Sequence, residues 1–152
     1  MAQTWYPRGR PGLKAYQNDV GVIQQMEFRL TAAEIQSMYT TAEELIKAPG
    51  AGCAIEFLSA VLYLNHGGTD HAGGGNLSFQ INSVDVSVPV AATDLINASA
   101  DVWARVPADE ADYVLAANTA LKITNATAVH TTGDGTLRGV ITYRIVNFSN
   151  EV

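Results

Sequence analysis

The residue types most capable of chemistry lie close together. His66-Gly67-Gly68-Thr69-Asp70-His71 places two imidazoles and a carboxylate in one short segment, ligand types that suit zinc or another transition metal. Geometry argues against a metal. A glycine loop does not fix ligands, no second cluster supplies a fourth one, and His130 is remote in sequence. The segment is therefore expected to be a structural or solvent-facing loop with no metal.

Other constellations fall short in the same way. Pro49-Gly50-Ala51-Gly52-Cys53 has the glycines of a phosphate loop, but no Lys-Ser/Thr pair follows and the downstream pattern is a strand. No Gly-x-Ser-x-Gly elbow occurs, so a serine triad would have to recruit His66, His71 or His130 without a local signature. Asp109, Glu110 and Asp112 lack the spacing and central glycine of an EF-hand loop and read as solvated acids. Asn76, Asn97, Asn125 and Asn147 each open an Asn-x-Ser/Thr triplet, a pattern common in Thr- and Ser-rich β proteins that is not read as a site. The single Cys53 lies in an apolar run and reads as a small buried hydrophobe, with a reducing compartment the simplest inference. No catalytic residue and no cofactor are expected, and the chain does not read as an enzyme.

The elements that would position such groups are mostly strands. The Ala48 to Gly52 hinge precedes Cys53 to Leu64, where Ile55, Phe57, Ser59, Val61 and Tyr63 alternate with Ala54, Glu56, Leu58, Ala60, Leu62 and Leu64. Both faces are largely apolar, which predicts a strand buried on both sides. Asn65 to Gly75, with five glycines, reads as a long turn of a β-hairpin returning through Asn76 to Asn82. Val20 to Leu30 reads as the first strand, and Thr31-Ala32-Ala33-Glu34 matches a capping box that opens a short helix through Met38. Thr40 to Lys47 is ambiguous. Thr41 to Glu44 could cap another helical turn, while the following hinge favours a short strand. Val84, Val86, Val88 and Val90 alternate, with Pro89 placing them at an edge or bend. Thr93-Asp94 opens a helical pattern in which Leu95, Ile96, Ala100 and Trp103 share a face until Pro107. Leu121 to Ala128 and Leu137 to Phe148 read as the last strands, joined through the tight-hairpin signal Gly133-Asp134-Gly135. The fold expected is mainly β: an antiparallel, jelly-roll-like β-sandwich with one or two short helices.

Composition adds constraints. The 152 residues suit one domain, a body over 20–152 preceded by an extended N-terminal arm over 1–19. Charged residues make up 16% of the chain and apolar ones 47%, against a charged share of about 25% in ordinary domains. So sparse a charge predicts that much of the surface faces neighbours. Residues 1–18 hold three basic residues and no acidic one, whereas 19–152 hold six basic and fifteen acidic ones, so the body should repel nucleic acid. There is no apolar run of about 18 residues and no apolar signal core, so no membrane partner is expected. In the arm, Trp5, Tyr6 and Tyr16 are apolar anchors, Arg8, Arg10 and Lys14 are charged, and Pro7 and Pro11 favour an extended chain. These six aromatic and basic residues are the candidate interaction residues of a docked arm; a wholly disordered tail is the alternative.

The order of these motifs resembles a family of small tailed-bacteriophage virion proteins that bind the outside of the head as cement, or decoration, proteins. The resemblance rests on Leu30-Thr31-Ala32-Ala33-Glu34-Ile35, on Ala48 to Gly52 followed by Ile55-Glu56-Phe57-Leu58-Ser59-Ala60, and on Leu64 through Gly75 to Leu77. Ala91-Ala92-Thr93, Leu121-Lys122-Ile123-Thr124-Asn125-Ala126-Thr127 and Gly133-Asp134-Gly135-Thr136-Leu137-Arg138 complete it. It covers roughly residues 20 to 146 and leaves the arm outside. These motifs are structural punctuation, and similar sequences serve as head fibres or tail parts. What the resemblance implies is a β-sandwich, a homotrimer on a local threefold axis, a major capsid protein as partner, and a place on the outer surface of the virion after assembly in the host cytoplasm. The alternative is a head-fibre or tail-associated carbohydrate-binding module, with Trp103 or Tyr113 stacking on sugars. Against it, the helical reading of 93–106 assigns Trp103 to the core.

Overall fold

A computed structural model describes residues 21–111 and 114–148. Eight strands follow in chain order: β1 (Gln24–Leu30), β2 (Glu43–Ile46), β3 (Cys53–Asn65), β4 (Leu77–Ile81), β5 (Val84–Asp85), β6 (Val102–Pro107), β7 (Leu121–Asn125) and β8 (Thr136–Asn147). They form two four-stranded sheets, ordered β1-β8-β3-β6 and β2-β7-β4-β5. Every strand pairing is antiparallel. The pairs β1–β8, β2–β7, β3–β6 and β4–β5 are those of one long hairpin rolled over on itself, the jelly-roll topology. The expected mainly β sandwich is the fold observed.

Local signals act where physics makes them self-sufficient. Thr31 caps helix α1 (Ala32–Ser37): its hydroxyl accepts from the Glu34 amide at 3.3 Å while its own amide donates to the Glu34 carboxylate at 2.7 Å. The Thr31 amide, and after it the Thr31 hydroxyl donating to the same carboxylate at 2.8 Å, hold the Glu34 carboxyl below its ordinary range. In β8, Leu137, Gly139, Ile141 and Tyr143 face inward as their alternation predicts. Residues 43–46 are a strand, and the valine run lies at the β5 edge, both as expected.

Three expectations are corrected. The segment from 53 to 82 is not a hairpin, because β3 and β4 belong to opposite sheets and residues 66–76 cross between them. The Gly133–Gly135 segment likewise connects β7 to β8 across the sandwich. The tight hairpin is at Asn82-Ser83, which joins β4 to β5 with φ of 53° and 61°, the left-handed pair of a type I′ turn. Second, β3 is not buried on both faces. The register with β8 slips between Phe57 and Ser59, so a bulge at Leu58 reverses the parity of the strand. Ile55 and Phe57 point inward before it, Ala60, Leu62 and Leu64 after it, while Val61 and Tyr63 turn outward. Third, residues 93–106 form no helix beyond a 3₁₀ turn at Ala92–Asp94. Leu95 and Ile96 are buried beside it, but Val102–Pro107 is strand, with Val106 inward and Trp103 outward.

The core forms where the two sheets meet. Phe79 of the second sheet stacks on Phe57 of the first, with centroids 5.0 Å apart, and meets Phe28 edge-on at 6.4 Å. Ile35 and Met38 from the α1 segment close one side of the same cluster.

Candidate functional site

The interaction residues expected in the arm, Trp5, Tyr6, Arg8, Arg10, Lys14 and Tyr16, lie outside the described residues, as do Asp112 and Tyr113. The histidine loop is described, and it is not wholly solvent-facing. His66 pairs with Asp70 at 2.7 Å near the surface, but His71 is 3% exposed and His130 2%. The folded chain thus brings together two imidazoles 59 positions apart in sequence, their ring centroids 6.0 Å apart. His71 Nδ1 lies 2.8 Å from the Thr132 carbonyl and Nε2 3.1 Å from that of Gly135. A neutral ring can donate to only one of them. Neither His130 nitrogen has a hydrogen-bond partner among the described residues. Burial, and then the neighbouring His71, push the His130 imidazole down to about 4.

Two connections interlock around these rings. Asp134 accepts from the amides of Thr69 at 2.9 Å and Gly68 at 3.0 Å, and these bonds hold its carboxyl below the ordinary range. The His130 ring occupies the space a side chain at Gly74 would need, and the His71 ring does the same at Gly133. The glycines that suggested tight turns serve close loop-to-loop approach instead. Among the described residues no group of three or more His, Cys, Asp or Glu side chains is placed to hold a metal. No helix among them is long and apolar enough to cross a membrane. Cys53 is buried, as its apolar strand suggested.

A different surface concentrates exposed side chains of interest. On the outer face of the first sheet, Tyr63 and Trp103 sit opposite each other in the β3–β6 register. Their ring centroids are 4.5 Å apart at 34°. The Tyr63 hydroxyl donates to Asp101 Oδ2 at 2.7 Å, and the His66 amide donates to Asp101 Oδ1 at 2.8 Å. Both bonds lower the Asp101 carboxyl, the Tyr63 bond foremost, while the same contact raises the tyrosine. Trp103 remains 71% exposed. Arg138 lies opposite Tyr63, Arg29 opposite Arg138, and Arg105 opposite Val61. A shallow trough of about 300 Å³ runs between Glu27, Val61, Tyr63, Trp103, Arg138 and Val140.

Helical periodicity concealed this platform. The usable signal was the alternation Val102, Ala104, Val106 against Trp103, Arg105, Pro107, which has the period of a half-buried strand. A second exposed surface lies at the β5 edge of the other sheet, where Val84 is 48% exposed and Leu115 44%. Val84 and Leu115 border a common trough of about 130 Å³.

Two solved structures align with the chain. A chain of the cyanophage Pam1 capsid asymmetric unit aligns over 95% of this chain and 96% of its own length, with 16% identity and a TM-score of 0.49. A chain of the capsid of Ralstonia phage GP4 aligns over 82% of this chain and 85% of its own, with 14% identity and a TM-score of 0.45. No family model matches the chain, and no curated protein matches it.

Proposed function

We propose that the protein is a structural component of a tailed-bacteriophage virion. In this reading it binds the outer surface of the head as a cement protein, acts as a homotrimer, and contacts the major capsid protein without catalysis or cofactor. The motif resemblance supports the class, and one geometric observation carries the reading: the exposed apolar side chains of Val84 and Leu115, which border one trough at the β5 edge of the second sheet. An apolar strip on a protein of low charge is best accounted for by burial against a neighbour. We assign that edge to contact between protomers, and the arm to the capsid.

The physics needs no chemistry. A capsid repeats the same site in a fixed lattice, so a rigid oligomer that touches several subunits gains effective concentration with each contact. A clamp with higher affinity for the expanded, closed lattice stabilises that state by mass action against the pressure of packaged DNA.

Sedimentation equilibrium of the purified protein tests the assembly. A trimer is expected at roughly tens of micromolar, dissociating when Val84→Glu and Leu115→Glu place charge on the edge. A wild-type monomer at that concentration would refute it. Mixing the protein with undecorated heads of its own phage tests the role: deletion of residues 2–17 should reduce occupancy and particle heat resistance. Equal decoration by the truncated chain would remove the arm from the reading.

A further inference from the structure

We propose that the outer face of the first sheet binds an acidic saccharide chain, with Trp103 as the stacking platform and Glu27, Arg29, Arg105 and Arg138 as the polar selectors. This site lies away from the β5 edge and does not depend on the virion reading. Trp103 stands within a strand and is 71% exposed. Its orientation is prepared in advance: Tyr63 packs against it, the Tyr63 hydroxyl is tied to Asp101, and Asp101 is tied to the His66 amide. Little conformational freedom is then lost on binding. The face of an indole carries negative charge density and attracts the weakly positive C–H face of a sugar ring.

The surrounding groups match the rest of such a ring. Glu27 can only accept hydrogen bonds when ionised and the arginines can only donate, whereas sugar hydroxyls do both. Charge selects the kind of sugar. All four arginines of the described chain, Arg29, Arg105, Arg138 and Arg144, belong to strands of this sheet. Arg144 is paired with Glu56, but Arg29, Arg105 and Arg138 have no ion-pair partner among the described residues. Against these three guanidinium groups stand two carboxylates, Glu27 in the trough and Asp101 tied to Tyr63, which leaves a net positive charge on this part of an otherwise acidic protein. Uronate carboxylates complement it by charge-assisted hydrogen bonds. The row Arg29, Arg138, Tyr63, Trp103 crosses four strands, about 14 Å at ordinary strand spacing, which suits a chain of rings over a single one.

The test uses the full chain carrying Trp5→Phe, so that Trp103 is its remaining tryptophan. Trigalacturonate and a hyaluronan tetrasaccharide are the acidic probes, maltotriose the neutral one, and hexaglutamate the peptide control. At least one acidic saccharide should shift Trp103 emission to the blue and saturate with a dissociation constant of about 1 mM or tighter. By calorimetry, Trp103→Ala should weaken that binding by roughly tenfold or more, and Arg138→Gln by about tenfold. Both variants should keep the parental melting temperature, which separates lost binding from lost folding. No shift with either acidic probe, equal binding by maltotriose or hexaglutamate, or a Trp103 that iodide cannot quench would each overturn the proposal.

Discussion

Replacing His130 by Phe keeps a flat ring over Gly74 and removes a buried group that resists protonation. The sign follows from the lowered value. Above pH 6.5 the imidazole is neutral in both folded and unfolded chains and contributes no pH dependence. Between 6.5 and about 4 the unfolded chain takes up a proton that the folded chain refuses, so stability falls as the solution is acidified. From about pH 7.5 to about pH 4.5 the ceiling on that loss is about 2.5 kcal/mol, and solvent screening lowers it to about 1.5 kcal/mol. Urea unfolding followed by circular dichroism at both pH values measures it. The wild-type protein should lose about 1.5 kcal/mol more than His130→Phe over this interval. The lowered carboxyls of Glu34, Asp101 and Asp134 remain in both proteins and cancel, so the difference reports His130 together with its coupling to the neighbouring His71. If Phe proves too large, His130→Leu serves the same comparison. Equal acid sensitivity in the two proteins, or a His130 resonance titrating near pH 6.5, would refute the reasoning.

Two further predictions concern the fold. Phe79 is fully buried between Phe57 and Phe28, so Phe79→Ala should destabilise by about 3 to 5 kcal/mol in the same urea assay. Ser83 holds a positive φ in the β4–β5 turn; Ser83→Gly should stabilise by about 0.5 to 1 kcal/mol, and a loss of stability would exclude the type I′ assignment.

The parts legible beforehand were those whose signal and partner lie within a few residues. Thr31 and Glu34 satisfy each other's backbone amides across one turn, so the capping box could be read without knowing what the helix packs on. The β8 alternation was legible because every second residue meets the same core. Leu58 shows the opposite case. Nothing in its neighbours announces a bulge, and the one extra residue moved Val61 and Tyr63 to the outside. Leu95 and Ile96 misled because two buried residues fit a helix and a 3₁₀ turn equally well over so short a span. The arm residues expected to make contacts lie outside the described residues, while Trp103, named as a sugar-stacking alternative but assigned to the core by the helical reading, is exposed.

Sequence by itself determined that the chain is mostly strand, where its punctuation falls, and that Cys53 lies in an apolar environment, since these follow from residue periodicity and backbone preference. Tertiary structure alone decided which strands share a sheet, because sheet assignment depends on contacts between residues remote in sequence. It also decided that His71 and His130 meet in the interior and that Tyr63, Trp103 and three arginines share one outer face. Those groupings come from register across strands, and a single bulge in one strand is enough to exchange its buried and exposed side chains.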